Sequence, residues 1–243
     1  NSINKKRIPR LYVGDGLKSH VVIILSTEQS HYLSTVLRKK PGDSVLLFNG
    51  KDGEWSAILK QETKKMYSAI LTDPIREQSQ EEDVWLGFSP IKKHRQDLLI
   101  EKATELGVSR LVPLEMAYTN LGSFNQEKMF KQSMEAAEQS ERLSVPNVEG
   151  LSTLTEWLRN WPKGRLLYVA LERNETNKRL GGILEKKEAA FLVGPEGGFS
   201  EPEKELLSRY AFVRFFSLGL TILRSETAAI LCMGLYQELK RHD

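Results

Sequence analysis

From residue 84 onward, short apolar runs alternate with longer segments of helical period, and this alternation constrains the fold more than any other feature. Strands are predicted at 84–89, 110–114, 165–171, 189–193 and 213–218. Helices are predicted at 96–106, 126–142, 154–161, 201–209 and 226–240. Gly107 closes the first helix at its C′ position. Strands interleaved with helices in this way pair in parallel, with helices packed on both faces, so an α/β domain with a mostly parallel sheet is expected.

The first third of the chain lacks that alternation. Strand-like runs occur at 21–25, 44–48, 54–59 and 66–71, and Asn49-Gly50-Lys51-Asp52-Gly53 supplies a turn between two of them. A small antiparallel barrel is expected. One helix interrupts it, with Tyr32, Leu33, Val36 and Leu37 on one face, and it ends in Arg38-Lys39-Lys40 before Pro41-Gly42-Asp43. Residues 74–83 are polar and aperiodic. The expected division is therefore a barrel over 1–73, a linker over 74–83 and an α/β domain over 84–243.

Charge follows the same division. The chain carries a net +3, but residues 1–73 hold 12 Lys and Arg against 7 Asp and Glu, and the remainder holds 23 against 25. A basic module joined to a near-neutral domain is the distribution expected of a nucleic-acid-binding protein. Other classes are excluded or disfavoured. No apolar stretch approaches the roughly 20 residues that span a bilayer, and no apolar run follows the basic start, so neither membrane insertion nor a signal peptide is expected. One cysteine, Cys232, permits no intrachain disulfide and fits a cytoplasmic setting. It lies in an apolar helical pattern and is expected to be a buried packing residue. The four His are scattered without ligand spacing, and no metal site is expected.

Two segments carry the chemistry. The first, Leu192-Val193-Gly194-Pro195-Glu196-Gly197-Gly198-Phe199-Ser200, joins a buried strand to a helix that opens with a Ser200/Glu203 capping box and Pro202 in its first turn. Its glycines match neither the phosphate-cradling P-loop nor the dinucleotide fingerprint. Glycine turns at the carboxyl ends of parallel strands are nevertheless where such sheets bind ligands. The second, Leu218-Gly219-Leu220-Thr221-Ile222-Leu223-Arg224, is an apolar loop with one cation, and Ser225-Glu226-Thr227 opens the last helix. Loops normally lie in water, so Leu220, Ile222 and Leu223 are expected either to close the core or to wall a pocket for a planar, largely apolar ligand, with Arg224 at its rim.

GPEGGFS followed by LGLTILRSETAA resembles the paired signature loops of the SPOUT methyltransferases, and most closely the RsmE family, which methylates N3 of a uridine in 16S ribosomal RNA of the small subunit. Glu101-Lys102-Ala103-Thr104-Glu105-Leu106-Gly107-Val108, Glu135-Ala136-Ala137-Glu138-Gln139-Ser140, Arg7-Ile8-Pro9-Arg10 and His31 through Asp43 are similar to that family too. The likeness spans nearly the whole chain. Pro90-Ile91-Lys92-Lys93-His94-Arg95 departs from it, being more basic and free of glycine.

The resemblance implies a carboxy-terminal trefoil knot, an exception to the rule against threaded chains, and a PUA-like RNA-binding barrel before it. It implies S-adenosyl-L-methionine held by Leu171, Gly194, Pro195, Glu196, Gly197, Gly198, Leu218, Gly219, Leu220, Ile222, Leu223, Arg224 and Thr227. Arg7, Arg10, Arg38 and Lys39 are the candidate RNA phosphate contacts. The implied partner is 16S rRNA or the assembled small subunit, and the implied assembly is a homodimer through the last helix. In that helix Ala228, Leu231, Cys232, Leu235 and Tyr236 form one apolar face, widened by Ile230 and Met233. Arg224 and Glu196 are the candidate catalytic groups, and the identity of any general base stays open. Two alternatives stay open as well: a SPOUT enzyme acting on another RNA nucleotide, and a non-catalytic RNA-binding protein that keeps the knotted scaffold.

Overall fold

The computed structural model describes residues 8–119, 124–171, 178–185 and 188–241. The chain divides into two compact units, Asn1–Gln80 with Ala137–Val145, and Glu81–Ala136 with Pro146–Asp243.

The first unit is built on five strands: β1 (Arg10–Tyr12), β2 (Val22–Ile24), β3 (Ser44–Phe48), β4 (Glu54–Thr63) and β5 (Met66–Arg76). Their order across the sheet is β1-β3-β4-β5-β2. All pairings are antiparallel except β1 with β3, which is parallel, so the sheet is mixed where an antiparallel one was expected. Leu25, Val45, Leu47, Ala57 and Leu71 pack fully buried beneath it. The β3–β4 turn shows why glycine sits there. Gly53 has φ +75°, and a Cβ on it would lie 2.2 Å from the Arg76 carbonyl oxygen. Asn49 Oδ1 accepts from the N–H groups of Lys51 and Asp52 at 3.0 and 2.8 Å, which fixes the turn from inside.

Two expectations for this unit need correcting. The helix at 27–37 is a short α-helix, α1 (Thr27–His31), followed by one π-helical turn, Tyr32–Val36, in which the Leu37 N–H donates to the Tyr32 carbonyl at 3.0 Å. The extra residue per turn rotates the apolar face, so Leu33 is buried and Val36 points to solvent. Also, β5 runs through Pro74 to Arg76, so the first residues of the expected linker are strand. Arg76 is held there by its Nε–H to Glu54 Oε1 at 2.9 Å.

The second unit contains β6 (Val84–Phe88), α2 (Lys93–Glu105), β7 (Arg110–Glu115), α3 (Gln126–Gln139), whose last turn groups with the first unit, β8 (Asn147–Val148), β9 (Ser152–Thr153), α4 (Leu154–Arg159), β10 (Leu166–Leu171), β11 (Ala189–Val193), α5 (Glu201–Ser208), β12 (Val213–Ser217) and α6 (Ser225–Arg241). The strand order is β12-β10-β11-β6-β7-β8, all parallel, with β9 pairing β7. Side chains alternate between faces with the period of two that a strand imposes. Phe191 and Val193 join α2, α3 and α6 residues in one core, and Ala190 and Leu192 join α4 and α5 residues in the other. The sheet is covered on both faces, as the apolar runs predicted.

In α6 the fully buried stripe is Ala229, Cys232, Met233 and Tyr236, about one position round from the expected face. Leu231 and Leu235 are only half-buried. Cys232 is a packing residue, and its burial holds the thiol far above its ordinary pKa.

Candidate active site

Three neighbouring strands end level with one another. Ala170 pairs with Val193, and Leu171 with Ser217, so the carboxyl ends of β10, β11 and β12 form one edge. Two loops rise from that edge: residues 194–200 lead from β11 into α5, and residues 218–224 lead from β12 into α6.

The first loop is a tight turn, with the Gly198 N–H donating to the Pro195 carbonyl at 2.9 Å. Gly198 has φ +73°. Gly197 answers a different need: a Cβ there would stand 3.1 Å from Tyr118 Cβ, so the Tyr118 side chain packs directly on the turn's backbone. Glu203 holds this neighbour in place. One of its oxygens accepts from the N–H and the hydroxyl of Ser200 at 2.8 Å each, and the other accepts from the Ala117 N–H at 2.8 Å. The capping residue of α5 thus also anchors the loop after β7.

The second loop turns at Gly219, φ +143°, with the Gly219 N–H donating to Ser217 Oγ at 3.4 Å. The two loops are tied together by the Ser225 hydroxyl, which is buried and donates to the Gly194 carbonyl at 2.8 Å.

Between the loops lies a cavity of about 230 Å³. It brings together Leu171, Gly194, Pro195, Glu196, Gly197, Gly198, Leu218, Gly219, Ile222 and Leu223 from the residues proposed for cofactor binding. Three of that set lie elsewhere. Leu220 is 78% exposed, Thr227 is exposed, and Arg224 lines a neighbouring pocket. Ile222, although it lines the cavity, is 69% exposed, so the loop leaves Leu220 and Ile222 uncovered while Leu218 and Leu223 are half-buried. Sequence reasoning missed Ala170, Val193, Phe199, Lys204, Ser217, Thr221, Ser225 and Ala228. Ala170, Val193 and Ser217 were accessible in principle, because parallel strands that end together must present their last residues to one site. Lys204 and Ala228 depend on how the helices α5 and α6 leave their loops, which no local pattern encodes.

The neighbouring pocket, about 300 Å³, is lined by Lys92, Arg95, Glu196, Ile222, Leu223 and Arg224. It shares Glu196, Ile222 and Leu223 with the first cavity. Arg95 is its central cation. Its guanidinium pairs with Glu196 through Nη1 and lies 3.7 Å from Glu226 Oε1 through Nε. Glu226 is 7% exposed, and its second oxygen has no hydrogen-bond donor.

Of the residues proposed for RNA contact, Arg7 lies outside the described residues. Arg38 is exposed, in a left-handed conformation with φ +53°, and Lys39 is half-buried. Arg10 is corrected. It is only 7% exposed and its guanidinium makes four hydrogen bonds: Nε with Glu54, Nη1 with the Ala137 and Glu138 carbonyls at 3.1 and 2.9 Å, and Nη2 with the Arg142 carbonyl at 2.7 Å. Such an arginine fastens the unit together, with four of its five N–H donors committed inside it.

Known proteins with this arrangement define its class. Residues 77–237 match the family model described as RNA methyltransferase domain, and residues 25–71 match that described as RNA methyltransferase PUA domain. The fold is similar to a ribosomal RNA small subunit methyltransferase E from Neisseria gonorrhoeae bound to S-adenosyl methionine. That likeness has 26% identity and a TM-score of 0.87, and covers 96% of this chain and 98% of the other. A putative methyltransferase from Legionella pneumophila in complex with the cofactor SAM is 26% identical at a TM-score of 0.81, over 96% and 98% of the two chains. In sequence the chain is 35% identical to ribosomal RNA small subunit methyltransferase E of Rickettsia conorii, over 96% of each chain. The chain belongs to the ribosomal RNA small subunit methyltransferase E family of RNA methyltransferases.

Proposed function

We propose that this protein transfers a methyl group from S-adenosyl-L-methionine to N3 of a uridine in 16S ribosomal RNA of the small subunit. The observation that carries the reading is the cavity between the two loops at the carboxyl edge of β10, β11 and β12. Backbone N–H and C=O groups of the glycine turn suit the hydrogen-bonding edge of an adenine, and Leu171, Leu218 and Leu223 suit its faces.

The reaction is an in-line displacement. The N3 lone pair attacks the methyl carbon, the carbon–sulfur bond breaks, and a neutral thioether leaves. The imide proton must depart, because N3 is a weak nucleophile while it holds it. Positioning supplies most of the acceleration in such a transfer. Arg224 and Glu196 are the groups we assign beside the reacting atoms. Arg224 would stabilise negative charge developing on the uracil, and Glu196 stands at the wall common to the two pockets. Arg38 and Lys39 remain the proposed phosphate contacts in the first unit.

The reading carries a trefoil knot through the loops after β11 and β12, a homodimer through α6 and a cytoplasmic location. Support for the dimer comes from Ile230, Leu231 and Leu235, which α6 leaves half-buried. Among the described residues no helix is long and apolar enough to cross a membrane.

The test is transfer of labelled methyl from S-adenosyl-L-methionine to small subunits that lack their native uridine-N3 methylation, followed by nucleoside analysis. Label in 3-methyluridine is the expected result. Label in another nucleoside would overturn the choice of target, and cofactor binding without any transfer would overturn the choice of RNA.

A further inference from the structure

The basic segment 92–95, set apart in the sequence by its departure from the family pattern, contributes Lys92 and Arg95 to the second pocket. Lys92, Arg95 and Arg224 surround that pocket, and Glu196 is the one carboxylate in its lining. Arg95 already spends its charge on Glu196 and Glu226. Lys92 and Arg224 are exposed, and among the described residues no carboxylate pairs with either. The helix that starts beside them, α2, has no acidic residue in its first turn and no side-chain cap. Lys92 and Arg224 are therefore the cations of this pocket that no carboxylate among the described residues offsets. Ile222 and Leu223 add apolar lining to this pocket and also line the cofactor cavity. A pocket that combines cations with aliphatic side chains and shares residues with the cofactor cavity matches a nucleotide: the cations suit its phosphate and the aliphatics its flat base.

We propose, resting on the methyl-transfer reading above, that this second pocket receives the target nucleotide as a single unstacked residue, with Lys92 on its phosphate and Arg224 beside its base. Arg95 is a positioning residue. It ties Glu196, in the turn after β11, to Glu226, at the start of α6, and so fixes the wall that separates donor from acceptor. An extruded base is required because an atom inside a stacked helix is out of reach of a methyl donor.

The experiment uses the full chain and small subunits lacking the uridine-N3 methyl group. Wild type, Lys92→Ala and, as a charge-matched control, Lys163→Ala are compared at several salt concentrations. Lys163 is exposed and precedes β10, at the strand end opposite the cavity. For Lys92→Ala, KM for subunits should rise by about tenfold, as for loss of one charged hydrogen bond. Its logarithmic salt slope should flatten by about 0.7, one phosphate contact on single-stranded RNA. Its kcat at saturating subunits and its affinity for S-adenosyl-L-methionine should match wild type. Arg95→Gln should instead lower kcat, and Arg95→Lys should recover only part of it, since an ammonium cannot span two carboxylates. An unchanged KM in Lys92→Ala, or an equal rise in Lys163→Ala, would overturn the subsite. If wild type binds cofactor but methylates no uridine on these subunits, the methyl-transfer reading fails and the subsite falls with it. Wild-type transfer with a silent Lys92→Ala overturns the subsite alone.

Discussion

Ser225→Ala isolates the bond that joins the two loops of the cofactor cavity. The hydroxyl is buried and donates to the Gly194 carbonyl at 2.8 Å. A neutral hydrogen bond of this kind contributes about 1 kcal/mol. Gly194 is half-buried, so water can reach its carbonyl after the change, and the larger penalty of an orphaned buried group does not apply. The loss then falls in one of two places. If the loops stay in register without the bond, the folded state alone is destabilised, and cofactor affinity does not move. If the bond is what holds the glycine turn against the start of α6, the free loops loosen and binding must order them again. The second case is expected, with Kd for S-adenosyl-L-methionine rising by up to about fivefold, the equivalent of about 1 kcal/mol. Titration calorimetry measures that rise, and urea unfolding without cofactor measures the stability. A full loss of stability with an unchanged Kd would refute the claim that this bond preorganises the site.

Arg10→Ala should destabilise the first unit by about 3–5 kcal/mol, because it strips a buried carboxylate, Glu54 at 3% exposure, of one of its two arginines; urea unfolding checks this, and a mild loss with a changed RNA salt slope would argue for a surface role. Arg38→Glu should weaken RNA binding, more at low salt than at high, while calorimetry shows cofactor affinity intact; equal loss of both would indicate misfolding. Asp83 sets an acid limit. Burial opposes its ionisation, but the Ser109 hydroxyl, the Arg165 guanidinium and the Trp85 indole N–H outweigh that and hold its carboxyl below the usual range. A depressed folded pKa gives stability that is complete above the unfolded value and disappears as pH falls through the folded one. Wild type should therefore be more stable than Asp83→Asn at pH 7, and the difference should shrink below about pH 4; a pH-independent difference would refute the ionic contribution.

The α/β unit was legible because its signals are local. Each predicted strand and helix rests on a periodic apolar pattern bounded by caps, and the β11 run at 189–193 is bounded as the sequence indicates because Gly194-Pro195 cannot continue it. What stayed hidden depends on residues far apart in the chain. Strands β8 and β9 are two residues each, too short for any period, and exist because β7 offers a free edge. The role of Arg10 could not be read from its neighbours, since its partners are Glu54 and carbonyls at 137, 138 and 142. A basic residue near a basic cluster looks like surface until its partners are known. In the site, the glycine turn announced itself through Gly197 and Gly198. Arg95 did not, because only the fold brings it to Glu196, 101 positions later, and to Glu226.

The Arg10 network also bears on how the chain is made. The first unit needs Ala137–Val145 for completion, because two of its arginines, Arg10 in β1 and Arg76 at the end of β5, donate to the carbonyls of Ala137, Glu138, Glu141 and Arg142. During synthesis the first 80 residues emerge well before those acceptors exist. Until they arrive, part of two guanidinium groups lacks its native partners. The amino-terminal unit therefore cannot reach its final state as an independent product of early translation. It must wait for roughly 60 further residues, several seconds at ordinary elongation rates of about 5–20 residues per second. A fragment ending at Gln80 should accordingly be an incomplete folding unit, whereas one ending at Val145 carries every carbonyl that these two arginines use.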